Sequence, residues 1–319
     1  MDKIRIGIIG CGGIANQKHF PALKAYSEEC EMVAFCDIIE ERAQKACEQY
    51  GAPGAKYYTD YKEMLKDESI DTVHVLTPNV SHSPITVAAF EAGKNVMCEK
   101  PMAHTTEAAQ AMMEAWKKSG KKFTVGYQNR FRADSQCLHE ACAAGDLGDI
   151  YFAKAHAIRR RAVPTWGVFP DKSKQGGGPL IDIGTHALDL TLWCMDNYEV
   201  ESITGSVFEK LGHSKLAAQD NMFGPWDTDT FEVEDSAFGY IKMKNGATIF
   251  LESAWAINMK DSREAACTLC GTKAGAEQLG GMSKDGGYEL VINETTHGKL
   301  TEKHLSKGGA IAFFTGGHD

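Results

Sequence analysis

The fold of this chain is decided by residues 4–15, which read IRIGIIGCGGIA. The first six of these residues form a short apolar run, which is typical of a buried strand. The run passes at once into a glycine-rich turn, and residues 15–26 after the turn predict a helix. A strand, a tight turn and a helix in this order form the first half of a β-α-β unit, which builds parallel sheets. The chain is therefore expected to begin with an α/β fold.

The same alternation continues to residue 125. Apolar runs predict further strands, and the stretches between them predict helices. The predicted strands are 32–36, 71–76, 95–98 and 122–125, and the predicted helices are 39–50, 81–92 and 105–119. Strands that alternate with helices of about ten to fifteen residues indicate a doubly wound parallel sheet.

Beyond residue 126 the pattern changes from alternation to strands. Helices are predicted at 132–144 and 180–195, and strands at 150–158, 200–208, 233–243, 247–256, 265–270 and 288–292. Lys244-Asn245-Gly246 between two of these strands is a hairpin signal. We therefore predict two domains. Residues 1–126 carry the parallel sheet, and residues 127–319 form an α+β domain with a large, mainly antiparallel open sheet.

Composition narrows the classes of partner and compartment. The chain has 319 residues and a net charge of −9 at pH 7. The sequence has no extended basic stripe, which argues against a nucleic-acid partner. It also lacks an apolar run of about 18 residues, so no membrane span is predicted. The N-terminus lacks the features of a signal peptide, so the ten cysteines are expected to be reduced thiols in the cytoplasm. Cys267 and Cys270 form a C-x-x-C in a predicted strand, where their side chains face opposite sides, so no metal site is predicted.

The glycine-rich turn, Gly10-x-Gly12-x-x-Ala15, has the pattern of a dinucleotide-binding turn. The first glycine allows the tight turn, and the absence of a side chain at the second lets a pyrophosphate approach the backbone. The third position must be small so that helix and strand can pack. The helix then offers free N–H groups to the phosphate, and Gly13 and Ile14 lie within this predicted phosphate site.

An acidic residue, Asp37, ends the second predicted strand and indicates which dinucleotide binds. Its carboxylate is placed to accept hydrogen bonds from both ribose hydroxyls. Its charge would repel a 2′-phosphate, and Ile38 and Ile39 supply no arginine to hold one. The sequence therefore favours NAD over NADP.

Two other strands end in polar residues on the same edge of the predicted sheet. Strand 71–76 is followed by Thr77-Pro78-Asn79, and strand 95–98 by Glu99-Lys100-Pro101. Proline fixes φ and lacks an N–H, so the latter strand stops at the charged pair. Ligands of open α/β sheets bind outside the carboxyl ends of the strands, so we expect both segments to touch the cofactor or substrate.

The second half of the chain has one cluster of chemically active residues. Asp182 and His186 are four residues apart, which is roughly 400° of α-helix, so they share one face, and Asp189 continues the stripe. A histidine oriented by a carboxylate is suited to general-base catalysis. A metal site and a helix-surface pair are the alternatives, but only this helix offers ligands, so no metal is predicted. Asp189 is expected to be structural.

These motifs together resemble the Gfo/Idh/MocA oxidoreductases. The resemblance covers residues 3 to about 275. It rests on the glycine turn, on Thr77-Pro78-Asn79 with His82, on Glu99-Lys100-Pro101, and on Gly178 with Asp182-x-x-x-His186.

The resemblance implies a Rossmann domain followed by a domain whose open sheet often builds a dimer or tetramer. It implies that Glu99 and Lys100 lie beside the nicotinamide and substrate, that Asp182 and His186 complete the site with His186 as acid/base, and that the Lys100–Pro101 bond is often cis. Such proteins usually continue into a C-terminal helix. Because this sequence stops at residues 316–319, we expect either that the sequence is truncated or that the helix is lost.

The predicted function is NAD-dependent hydride transfer to or from a secondary hydroxyl of a sugar, cyclitol or glycoside. The alternatives are an NAD-dependent glycosidase and a catalytically silent nucleotide sensor. The predicted catalytic residues are Lys100, Asp182 and His186. The predicted cofactor-binding residues are Gly10, Gly12, Gly13, Ile14, Asp37, Thr77, Pro78, Asn79, His82, Glu99, Lys100 and Gln128. The predicted substrate-binding residues are Lys100, Asn129, Arg130, Trp166, Asp182 and His186, and Tyr127 is a weaker candidate contact.

Overall fold

The structure is a computed structural model, and it describes residues 3–280 and 288–305. The described residues divide into two compact units, and the division falls between Gly126 and Tyr127. Residues 316–319, where the family helix was expected to begin, lie outside the described part. No helix among the described residues is both long enough and apolar enough to cross a membrane.

The first unit is built on a parallel sheet. Its strands are β1 (Ile4–Ile9), β2 (Cys30–Cys36), β3 (Lys56–Tyr58), β4 (Thr72–Val75), β5 (Asn95–Cys98) and β6 (Phe123–Val125). The strand order is β3-β2-β1-β4-β5-β6, and each neighbouring pair is parallel. This order consists of two halves that wind outwards from β1 and β4, so the predicted doubly wound sheet is confirmed.

Helices connect these strands. A π-helical turn (Ala15–His19) leads into α1 (Phe20–Ala25), and α2 (Glu40–Tyr50), α3 (Tyr61–Leu65), α4 (Asn79–Glu91) and α5 (Thr106–Ser119) follow. The core fills both faces of the sheet, because successive strand residues enter different buried clusters, as Ile8 and Ile9 do.

The second unit is built on a larger, mixed sheet. Its strands are β7 (Ile150–Ile158), β8 (Val200–Phe208), β9 (Ser236–Met243), β10 (Thr248–Ala254), β11 (Arg263–Gly271), β12 (Ala274–Gly280), β13 (Tyr288–Thr296) and β14 (Lys299–Leu305). Their order is β14-β13-β12-β11-β7-β10-β9-β8. Among the described strands of this second sheet, only β7 and β10 pair in parallel, so the predicted, mainly antiparallel sheet is confirmed. The predicted hairpin joins β9 to β10, with Gly246 at φ +89°.

Within residues 127–280 and 288–305, the helices of this unit leave one face of the sheet open. They are a 3₁₀ turn (Gln128–Phe131), α6 (Ala133–Ala143), α7 (Lys172–Gln175), a π-helical turn (Leu180–Gly184), α8 (Thr185–Met195) and α9 (Lys215–Ala218). Leu138 of α6 and Leu190 of α8 are buried in one cluster with Ile249 of the sheet. Phe250, the next residue of β10, points the other way and is 44% exposed.

Candidate active site

The glycine turn has the shape that a pyrophosphate needs. Gly10 has φ +96°, and a Cβ there would lie 2.4 Å from the carbonyl oxygen of Leu76, so only glycine fits. Apart from Gly12 itself and its two chain neighbours, no described atom lies within 4 Å of the position where Gly12 would carry a Cβ. Gly13 is exposed, and Ala15 is fully buried where the helix packs on the sheet. The turn is tight at its first position and unobstructed at its second, which fits a bound dinucleotide.

Asp37 is tied to this turn. Its Oδ2 accepts a hydrogen bond from the Cys11 N–H at 2.9 Å, and its Oδ1 accepts one from the Ile39 N–H at 2.9 Å. A carboxylate offers about four acceptor positions, so both oxygens keep capacity for ribose hydroxyls. The side chain thus shapes the turn in addition to the ribose contact that the sequence predicted.

A small concavity of about 290 Å³ lies at the ends of α2 and β3. It adjoins Asp37, whose N–H donates to the carbonyl of Tyr58 at 3.2 Å. Three carboxylates, those of Glu40, Asp60 and Glu63, line the concavity together with Tyr57, Tyr58 and Thr59, and no basic side chain is among the lining residues. The local charge is therefore unfavourable for a phosphate group.

His82 bridges the ends of two strand connections. The residue is 1% exposed, and its Nε2 and Nδ1 lie 2.8 Å from the carbonyl oxygens of Thr77 and Pro101. Burial lowers the pKa of His82, although its hydrogen bonds to these carbonyls act in the opposite direction. Both ring nitrogens thus face backbone oxygens. The Lys100–Pro101 peptide bond is cis, as the resemblance implied.

The carboxylate of Glu99 contacts both a histidine side chain and the backbone of Lys100. Its Oε1 lies 2.8 Å from Nε2 of His19, and its Oε2 accepts a hydrogen bond from the Lys100 N–H at 3.1 Å. His19 was not among the residues predicted for the site. A signal was present, because His19 lies four residues after the buried Ala15 on the same helical stripe, and a polar residue on a buried stripe requires a partner.

In the second unit, Asp182 and His186 are 8% and 7% exposed. The indole N–H of Trp255 donates to Oδ2 of Asp182 at 2.9 Å. The predicted helix 180–195 forms, but Leu180–Gly184 is π-helical rather than α-helical. A π turn holds slightly more residues than an α turn, so residues four apart still lie on nearly the same face, and the shared face of Asp182 and His186 stays a prediction.

Asp189 forms an ion pair with Arg130. The guanidinium Nε and Nη2 donate to the two carboxylate oxygens at 2.8 and 2.5 Å, and the guanidinium lies 5.6 Å from the ring centre of Trp193. Burial raises the pKa of Asp189 even though Arg130 opposes this shift. Asn129 is 5% exposed, and its Oδ1 accepts from Arg132 at 3.3 Å. These contacts place Arg130 and Asn129 in a network that braces the start of the second unit.

Two further predicted residues, Tyr127 and Gln128, lie at the start of the second unit. Gln128, in the 3₁₀ turn, is half-buried. The hydroxyl of Tyr127 lies 2.9 Å from Oγ1 of Thr185, and its ring meets that of His186 edge to face at 6.3 Å. Tyr127 therefore packs beside the candidate catalytic histidine within the second unit.

Trp166 is 52% exposed and is braced by other aromatic rings. Its ring lies 4.8 Å from that of Phe223 and 5.9 Å from that of Phe169, and Phe169 lies 6.2 Å from Trp255. The Thr165 hydroxyl donates to the Phe223 carbonyl at 2.7 Å and holds the two loops together. A chain of ring contacts thus connects the exposed Trp166 to the partner of Asp182.

No group of three or more metal-ligating side chains is present in residues 3–280 and 288–305. The described site is instead made of hydrogen-bonding and ionisable groups that suit proton transfer and charge stabilisation.

Known proteins match both parts of the chain. Residues 4–127 match the family model for the oxidoreductase family with an NAD-binding Rossmann fold, and residues 135–277 match that for the GFO/IDH/MocA C-terminal domain. D-glucoside 3-dehydrogenase of Escherichia coli strain K12 is 41% identical over 273 residues, which are 86% of this chain and 76% of that protein.

Two other known proteins match the chain at lower sequence identity. Inositol 2-dehydrogenase of Salmonella typhimurium strain LT2 is 30% identical over 194 residues, which are 60% of this chain and 55% of that protein. The crystal structure of aldose-aldose oxidoreductase from Caulobacter crescentus, complexed with glycerol, aligns with a TM-score of 0.77 at 25% identity. That alignment covers 98% of this chain and 86% of the other.

The matches and the fold define an oxidoreductase with an NAD-binding Rossmann domain. The chain belongs to the Gfo/Idh/MocA family, since the two family models together match most of its length. The resemblance inferred from the sequence motifs and the assignment as an enzyme are thereby confirmed.

Proposed function

We propose that this protein uses NAD to oxidise a secondary hydroxyl of a sugar, with a D-glucoside as the first substrate to test and a cyclitol as the second. The observation that carries the proposal is the buried pair of Asp182 and His186, with Trp255 fixing the carboxylate. The names of the relatives, a glucoside dehydrogenase and an inositol dehydrogenase, support this substrate class.

Three residues of the chain are proposed to act on the substrate hydroxyl group. His186 takes the hydroxyl proton as general base, and Asp182 orients the imidazole or the substrate. Lys100 donates a hydrogen bond to the same oxygen and stabilises the negative charge that develops there. When bound, NAD would supply the hydride acceptor. His186 takes the O–H proton, and loss of this proton and of the C–H hydride converts the secondary alcohol to a ketone.

The preferred cofactor is NAD rather than NADP. Gly10, Gly12, Gly13 and Ile14 would hold the pyrophosphate, and Asp37 the ribose of the adenosine half. The carboxylates of Glu40, Asp60 and Glu63 next to Asp37 support this choice, because a 2′-phosphate would add two negative charges beside them. Glu99 and Lys100 are assigned to the nicotinamide side of the cofactor. The other proposed cofactor contacts are Thr77, Pro78, Asn79 and Gln128.

His82 is assigned to the cofactor site through backbone contacts. Because both of its ring nitrogens lie on carbonyl oxygens, it holds the segments of Thr77 and Pro101 in place rather than donating to the cofactor itself. A neutral imidazole donates to only one of them, so the ring sets the spacing of the two segments chiefly by packing.

Trp166 is assigned to the substrate. Its exposed ring, stiffened by Phe223 and Phe169, offers a flat apolar surface on which a sugar ring or an aglycone stacks. Asn129 and Arg130 remain candidate substrate contacts, and Arg130 would act there while paired to Asp189.

Assembly and compartment are also proposed. The open face of the second sheet carries clustered aromatic rings, among them Phe152, Phe250 and Tyr240 with centroid distances of 5.3 and 5.6 Å. Such a face suits a dimer or tetramer of identical chains, which sedimentation analysis will reveal. All ten cysteines are free thiols, which is consistent with a reducing cytoplasm.

The test is an NADH absorbance assay with NAD and a panel of D-glucosides, free sugars and inositols. Net NADH formation with one of them, and little with NADP, is expected. Glycoside cleavage without net NADH would favour the glycosidase alternative, and absence of turnover with tight NADH binding would favour a sensor.

A further inference from the structure

A buried histidine outside the predicted set connects the glycine turn to the predicted catalytic lysine. His19 lies in the helical segment after the turn, and its side chain is 2% exposed. Its Nε2 lies 2.8 Å from Oε1 of Glu99, while Oε2 of Glu99 accepts from the backbone N–H of Lys100 at 3.1 Å. Two hydrogen bonds thus lead from the first helical segment to the backbone of Lys100.

The Glu99 side chain is closely confined between these partners. It is 12% exposed, and a Cβ added to Gly126 at the end of β6 would lie 3.2 Å from its Oε1. Burial by itself would raise the pKa of Glu99. The hydrogen bond and charge of His19, together with Lys100, hold it below its usual value. A buried carboxylate of this kind needs its partners, because an unpaired charge in the interior is costly.

A second histidine contacts His19 beside its carboxylate partner Glu99. The ring of His74 meets that of His19 edge to face at 5.6 Å. Burial, reinforced by the charge of His19, lowers the pKa of His74 to about 3, so His74 is neutral near pH 7. Four ionisable groups of the first unit interact electrostatically with this pair, namely His74, His82, Cys98 and Lys100.

We propose that His19 is a positioning residue, which acts through Glu99 to fix the backbone at Lys100 and so the direction of its ammonium group. The inference rests on the function proposed above, since it takes Lys100 to act on the substrate. His19 itself is given no contact with the reacting atoms. A catalytic group displaced by about 1 Å loses roughly 10²-fold in rate, so a loosened Glu99 is expected to slow the chemical step.

The test compares His19→Leu with His19→Gln in the full chain. Leucine removes the hydrogen bond, and kcat is expected to fall roughly 10²-fold while the Kd of NADH changes less than about threefold. Glutamine keeps an N–H donor and is expected to recover most of kcat. A folded His19→Leu protein with the kcat of the wild type would overturn the proposal.

A double variant separates positioning from stability. His19→Leu combined with Glu99→Met replaces the pair by apolar side chains, which proteins tolerate well. A folded double variant with low kcat supports the proposal, whereas recovery of wild-type kcat together with the melting temperature would show that the pair is only structural. His156→Gln is the matched control, because His156 is 4% exposed and pairs with Glu252 at 2.5 Å in the second unit. It is expected to leave kcat unchanged.

A second readout does not depend on the substrate. If the wild type oxidises none of the tested sugars, the proposed function fails, but the position of Lys100 is still measurable by the rate at which an acylating reagent labels its Nζ. The proposal predicts a changed labelling rate in His19→Leu and a near-normal rate in His19→Gln. Equal rates in all three proteins would overturn it.

Discussion

Trp255 donates its indole N–H to Oδ2 of Asp182 at 2.9 Å, and Trp255 is fully buried. Trp255 directly follows β10, and Ser253 within β10 donates to the carbonyl of Pro179 at 2.7 Å. Two hydrogen bonds therefore tie the π-helical turn that carries Asp182 to the central part of the sheet. The candidate catalytic carboxylate is held by the core of its own unit.

Trp255→Phe is expected to reduce turnover without weakening cofactor binding. The change keeps an aromatic ring but removes the donor, and a hydrogen bond to a charged group is worth about 1.5–3 kcal/mol, or roughly 10- to 100-fold. We expect kcat to fall within this range while the Kd of NADH stays constant, as measured by steady-state kinetics and fluorescence titration. Unchanged kcat in a folded Trp255→Phe protein would remove Asp182 from the chemical step.

Asp37→Ala is expected to weaken NADH binding roughly 10- to 100-fold, because it removes charged hydrogen bonds to the ribose and loosens the turn at Cys11. Binding of NADPH should weaken less, since the repulsion of its 2′-phosphate also disappears. Isothermal titration with both cofactors checks this. Glu31→Gln is the control, because Glu31 lies in β2, the strand that Asp37 follows, but pairs with Arg5. An unchanged Kd for NADH would exclude Asp37 from the site.

Trp166→Ala is expected to raise KM for a glycoside substrate and leave kcat unchanged. Aromatic contacts contribute about 0.5–1.5 kcal/mol beyond area burial, which corresponds to roughly two- to tenfold in KM. Trp166→Phe should retain most of the effect of the ring. Tyr26→Ala is a control, since Tyr26 is 59% exposed on the other unit. A KM equal to that of the wild type would identify Trp166 as a loop anchor only.

His74 is expected to make the protein less stable in mild acid. Its pKa is about 3 in the folded state, mainly because of burial, and about 6.5 when unfolded. Between these values the unfolded chain binds more protons, so the free energy of unfolding decreases as pH falls below 6.5.

The replacement His74→Phe isolates this effect. In this variant the free energy of unfolding should decrease by about 1–2 kcal/mol less between pH 7 and pH 5 than in the wild type, as measured by urea unfolding. All other titrating groups are the same in both proteins, so the difference between the two curves reports His74. Parallel curves for the wild type and His74→Phe would contradict the assignment.

The regular part of the fold was predictable from sequence because apolar periodicity reports burial. The strand Ile4–Ile9 and the strand Asn95–Cys98 have the predicted bounds. Several short elements were not predicted, namely β3, α3, α7, α9, β12 and β14. Strand β3 has three residues and β14 is almost wholly exposed, so neither has an apolar pattern to detect.

The site was less predictable because its supports come from distant parts of the chain. Local motifs pointed to Asp37, Lys100 and His186. The partners His19 and Trp255 are 80 and 73 residues away from the side chains they hold, and only tertiary structure brings them together. The π turn at Asp182 could not be predicted from the sequence either, since the residue pattern of a π turn resembles that of an α-helix.

The central claim is that Lys100 and His186 act on the same substrate hydroxyl. The most direct test measures kcat for D-glucoside oxidation in Lys100→Met, His186→Gln and the double variant, with NADH affinity determined in parallel. We expect His186→Gln to reduce kcat roughly 10²–10⁴-fold, and the double variant to be about as slow as the slower single variant, because groups that act as a unit are not additive. Losses that multiply independently, or a single variant with wild-type kcat, would contradict the account.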